Sequence, residues 1–117
     1  MSNKKYSEIT ITWKAFGSFD DRVVSSISFV ITREIADYVG IETYIEPEKH
    51  ESFCELVFHD TNLYDGRLWF FIEPKIETQA PKRTHTALSV GDEIEIDGSI
   101  YRCEKVGFAK VETAVAQ

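Results

Sequence analysis

Over residues 7–16 the side chains alternate: Ile9, Ile11, Trp13 and Ala15 face one way, Glu8, Thr10, Thr12 and Lys14 the other. A repeat of two predicts a strand with one wet face. Gly17-Ser18-Phe19-Asp20-Asp21 then breaks it. Between 21 and 39 the period lengthens. Val23, Val24, Ile27, Val30, Ile31, Ile35 and Tyr38 share one helical face, with Glu34 its polar member, and this spacing predicts one helix over 21–39. Asp20 or Asp21 can cap its start, and Gly40 stands where a left-handed residue ends a helix. The valine, isoleucine, serine and threonine content of 23–32 favours extended chain. The rival is therefore a strand at 23–31 followed by a short helix capped by Thr32.

Residues 41–46 alternate weakly and stop at Pro47, and 47–51 read as a charged turn. Residues 53–59, Phe-Cys-Glu-Leu-Val-Phe-His, predict a strand. Asp65-Gly66 turns the chain. Leu68-Trp69-Phe70-Phe71-Ile72 is continuously apolar and predicts a strand buried on both faces. Residues 74–87, with Pro74 and Pro81, read as a long loop. Further on, 93–96 and 99–106 flank Asp97-Gly98 and predict a hairpin, with Ile94, Ile96, Ile100 and Val106 available to a core. Residues 109–115 supply a last edge strand. This order predicts an α+β domain: a mainly antiparallel, curved sheet or partial barrel of about six strands with one helix packed on it. The pattern Gly91-Asp92-x-Ile94-x-Ile96-Asp97-Gly98-x-x-Tyr101 resembles hairpins of small β-barrel modules, connector proteins of phage virions among them. That resemblance spans one hairpin and implies architecture alone.

A length of 117 residues predicts a single domain over 1–117, with 1–6 and 114–117 frayed. No apolar run approaches the roughly 18 residues of a membrane span. Lys4-Lys5 is not followed by the apolar stretch of a signal peptide. The expected location is the cytoplasm, with Cys54 and Cys103 as free thiols. A net charge of −7 opposes both nucleic-acid phosphates and anionic lipid. The charge is uneven: residues 33–60 carry eight acidic side chains against two basic ones.

His50, Cys54, His59 and Cys103 are metal-ligand types, but His-x3-Cys-x4-His is not a finger spacing. On a strand, Cys54 and His59 would point to opposite faces. The expectation is two exposed histidines, a buried thiol, no metal and no cofactor. No motif places a nucleophile beside a base and an orienting group, so no catalytic residue is assigned and the chain is not read as an enzyme. Residues 32–41 look like the first helix and turn of a helix-turn-helix unit. Its second helix, over 42–53, would bring Pro47 and four glutamates to the DNA, where bases call for Arg, Lys, Asn or Gln. Direct nucleic-acid and membrane binding are therefore not expected.

Five glutamates lie between 42 and 55. An ordinary charged loop has this composition, and so does a surface that imitates a nucleic-acid backbone toward a basic groove. Phage-encoded inhibitors and toxin-neutralising immunity proteins use such surfaces. Aromatic residues fall beside turns at Tyr44, Tyr64, Phe108 and Phe19. The functional expectation is a non-catalytic acidic protein-interaction module: an inhibitor, adaptor or assembly component of the phage or mobile-element kind. Its partner-binding residues would be Glu42, Tyr44, Glu46, Glu48, Glu51 and Tyr64, and its partner a protein with a basic surface. The alternative is a small-molecule-binding β-rich domain with a pocket lined by Trp13, Trp69, Phe70 and Tyr101. A third reading is an enzyme using Cys54 or Cys103 with His59 or His85.

Overall fold

The computed structural model describes residues 6–14, 25–81 and 86–111. Strand β1 (Glu8–Trp13) buries Ile9, Ile11 and Trp13 and turns Glu8, Thr10 and Thr12 outward, as the alternation predicts. The helix expected over 21–39 is corrected. Residues 21–24 lie outside the described residues, and the chain then runs as strand β2 (Ser25–Val30), antiparallel to β1 from Glu8↔Val30 to Trp13↔Ser25. Only α1 (Arg33–Val39) is helical. The Thr32 hydroxyl caps it by accepting from the Ile35 N–H at 3.3 Å, and Gly40, at φ 88°, ends it. Ile27 and Ile31, four apart, satisfy a period of two as well as one of 3.6; buried Phe29 fits only the period of two, and pairing with β1 decides between them.

Two expected strands are helices. Residues 53–59 belong to α2 (His50–Leu63) and 68–72 to α3 (Arg67–Gln79), which also takes up the start of the expected 74–87 loop. Residues 41–46 form no strand, and Pro47–Lys49 is a single 3-10 turn. The buried face of α2 comprises His50, Phe53, Cys54, Val57, Asp60 and Thr61. Half of these are polar, so hydropathy hides their helical spacing. Helix α3 directs Leu68, Ile72 and Ile76 inward, while Trp69, Phe70 and Phe71 occupy its other faces and remove the usual apolar–polar contrast. Pro74 stands inside α3. It deprives the Phe70 carbonyl of a helical donor, and both residues are exposed, so solvent can replace that bond.

The hairpin forms between β3 (Glu93–Ile96) and β4 (Ser99–Cys103), turning through Asp97 and Gly98, both at positive φ. Its second strand stops at Cys103 and not at 106, and Tyr101 and Cys103 carry its core face in place of Ile100, which is half-buried, and Val106, which is exposed. The last strand is β5 (Phe108–Val111); residues 112–115 of the expected edge strand lie outside the described residues. All pairings are antiparallel and the sheet order is β2-β1-β3-β4-β5. The fold is thus α+β with an open five-stranded sheet and three α-helices among the described residues, in place of about six strands and one helix.

The helices cover one face of the sheet. Ile9, Ile11, Trp13, Ile27, Ile94 and Ile96 belong to a single core with Ile35, Phe53, Val57, Leu68 and Ile72. The other face is polar: the Thr10 and Ser28 hydroxyls lie 2.9 Å apart, and Glu93 pairs with Lys14 and Arg102. Between α2 and α3, buried Asp60 accepts the Leu68 N–H at 3.0 Å and so caps α3. Gly66, at φ 97°, lies against that carboxylate; a Cβ there would come within 2.3 Å of it. Among the described residues no helix is long and apolar enough to cross a membrane.

Candidate functional site

Helix α3 holds more apolar surface than the core takes up. Phe70 points away from the buried Leu68–Ile72–Ile76 stripe and is 65% exposed. It packs beside Tyr38 of α1, with ring centroids 5.8 Å apart, and Phe71 meets Tyr38 edge-on at 5.6 Å. The Arg67 guanidinium lies 5.4 Å from the Tyr38 ring centre and donates to the Tyr38 carbonyl at 3.1 Å. This fixes α1 against α3. Beside the rings runs a groove of about 490 Å³. Buried Phe29 and Ile35 contribute to its floor, and Glu34, Glu73 and Lys75 are its charged lining residues.

On the opposite flank of α3, Tyr64 ends α2 in a left-handed conformation and sets its ring 5.5 Å from Trp69. A second groove, of about 480 Å³, is lined by these two rings with Glu73, Ile76, Glu77 and Thr86. Glu73 lines both grooves.

The residues expected to bind a partner do not converge on one patch. Glu42, Glu46, Glu48 and Glu51 are exposed and Tyr44 is half-buried. Glu42 and Tyr44 share a third groove, of about 470 Å³, with Asp37 and Lys49. Tyr64 closes the far end of α2, about 20 Å along the helix from Glu51. The four aromatics proposed for a small-molecule pocket are also separated. Trp13 is buried and donates its indole N–H to the Thr86 carbonyl at 2.9 Å, Tyr101 is buried against His50, and Phe70 and Trp69 line different grooves.

His50 is buried, contrary to the expected exposure, because it opens the core face of α2. Its Nε2–H donates to the Ile45 carbonyl at 3.1 Å, and Nδ1 accepts from the Tyr101 hydroxyl at 2.9 Å. Cys54, one turn further on, is fully buried, and its thiol is pushed up to about 12 by burial, then by Glu51, Glu55 and Cys103. Burial, then Asp92, Glu55 and Glu104, also raise Cys103. Such thiols stay protonated at neutral pH and are weak nucleophiles. His59 is exposed, with Nδ1 2.9 Å from the Asp60 carboxylate; His85 and Phe19 lie outside the described residues. On helix α2 the opposed strand faces assumed for Cys54 and His59 do not apply. Among the described residues, no group of three or more His, Cys, Asp or Glu side chains is placed to hold a metal ion.

Comparison with protein-family models, curated proteins and solved structures finds no match to this chain. The Tyr38–Phe70–Phe71 cluster was not anticipated from the sequence. Its available signal was the run 68–72 itself, since five successive apolar residues cannot all face the core from one helix.

Proposed function

We propose that this chain is a non-catalytic protein-interaction module, an inhibitor, adaptor or assembly component, whose docking face is the outer side of α1 and α3. The observation that carries the proposal is the aromatic cluster of Tyr38, Phe70 and Phe71 at the surface beside a groove. Aromatic side chains dominate interface hot spots, and fully burying a phenylalanine contributes about 1.5–3 kcal/mol. Beside the cluster, Glu34, Asp37 and Glu73 are offset by Arg33, Arg67 and Lys75, and the unbalanced negative charge lies beyond α1, at Glu42, Glu46, Glu48 and Glu51 against Lys49. A negative field of this kind steers a basic partner. Strand addition at β2 is blocked at Ser28, whose backbone is held by Gln79. This favours a partner that inserts side chains into the groove. Two free cysteines suit the reducing cytoplasm.

The test is affinity capture from the source cell with the wild-type chain, Phe70→Ser and the triple reversal E42K/E46K/E48K in parallel. A protein held by the wild type, lost with Phe70→Ser and weakened by the triple reversal and by salt supports the proposal. Equal capture by Phe70→Ser contradicts it.

A further inference from the structure

We propose that the second groove, between Tyr64 and α3, receives an arginine side chain of the partner; this rests on reading the chain as a protein-interaction module. Four observations converge there. The Tyr64 and Trp69 rings stand 5.5 Å apart at an interplanar angle of 56°, and Tyr64 is 55% exposed. A guanidinium stacks on such faces and is attracted by their π electrons. Glu73 and Glu77 follow one another by one turn of α3 and both line the groove. Among the described residues, neither carboxylate has an ion-pair or hydrogen-bond partner and no basic side chain lines the groove. Thr86 also lines it. That residue is 8% exposed, and its buried hydroxyl has no hydrogen-bond partner among the described residues.

These groups match one chemistry. Two carboxylates exclude an anion and demand a cation. Rings and the Ile76 side chain suit an apolar stem ending in that cation. The planar fork of arginine presents several N–H donors at once, enough for both carboxylates together, whereas a lysine ammonium is a compact and strongly hydrated charge. Because Glu73 also lines the aromatic groove, a segment crossing α3 can fill one groove with apolar side chains and anchor an arginine in the other.

The probe is the blocked tripeptide acetyl-Gly-Arg-Gly-amide, with its citrulline and lysine counterparts, titrated into the full chain while the Trp69 indole N–H is followed by heteronuclear NMR. Trp69→Phe assigns the resonance. The arginine peptide is expected to shift Trp69 saturably and leave buried Trp13 unmoved. The uncharged citrulline peptide should have no effect, and the lysine peptide should bind more weakly. Glu73→Gln with Glu77→Gln should weaken the arginine peptide by about tenfold or more. An unmoved Trp69, an equal response to citrulline, or a lysine peptide that binds as tightly overturns the proposal. Phe70→Ser lies outside this groove and should leave the titration intact. Phe70-dependent capture with an inert arginine peptide removes this site alone. A bound peptide with Phe70-independent capture removes the docking face instead.

Discussion

The side-chain amide of Gln79 holds both backbone groups of Ser28: its oxygen accepts the Ser28 N–H at 2.8 Å and its nitrogen donates to the Ser28 carbonyl at 3.1 Å. Ser28 lies in β2, an edge of the sheet, so the last turn of α3 takes the place of a neighbouring strand. Unpaired edges invite association. Gln79→Ala is expected to lower stability by about 1 kcal/mol in urea denaturation, discounted for the exposure of these bonds. Light scattering should also show greater self-association.

The junction of α2 and α3 is tighter. Gly66→Ala adds a Cβ into the Asp60 carboxylate at a positive φ and removes the space for the cap on Leu68. We expect a loss of about 3 kcal/mol or more. Gly40→Ala places its Cβ in open space at φ 88° and should cost only about 1–2 kcal/mol of backbone strain. Paired thermal denaturation curves check the contrast; equal losses would contradict the close contact at Asp60.

The thiols give a pH dependence with a definite sign. Cys54 rises from the ordinary 9.0 to about 12 on folding, so between those values the folded chain keeps a proton that the unfolded chain has lost. Its contribution is full below pH 9.0 and is lost as pH rises toward 12, at up to about 1.4 kcal/mol per pH unit. Cys103 and Tyr101 shift in the same direction. Denaturation midpoints measured across this range should fall, and should fall less steeply in Cys54→Ala. At neutral pH a maleimide should label neither thiol faster than the chain unfolds.

Particular residues explain what the sequence revealed. Strand β1 and the 93–103 hairpin were legible because one face of each is wet and the Asp97-Gly98 turn has its own backbone chemistry. Helix α2 was not legible, because His50, Asp60 and Thr61 occupy its buried face and satisfy their hydrogen bonds locally or across the core. Helix α3 was misread for the opposite reason: its outward positions are aromatic. Of the candidate site, the exposed glutamates and Tyr64 could be named in advance. The groove beside Phe70 could not, since it depends on α1 and α3 lying side by side.

That division of α3 is itself testable. Leu68 is fully buried, and Leu68→Ala should cost about 2–5 kcal/mol. Phe70→Ser, which loses its ring contacts with Tyr38 and Phe71 but leaves the core intact, should cost only about 1 kcal/mol. Guanidinium denaturation of the two variants compares them directly. A large loss with Phe70→Ser would assign that ring to the core.

On the proposed function, the Phe70 face docks the partner. Titration calorimetry of the captured partner against the wild-type chain and Phe70→Ser tests it most directly. The expected result is a weakening of at least about tenfold with the thermal midpoint lowered by no more than about 8 °C. Equal affinities for the two chains would contradict it.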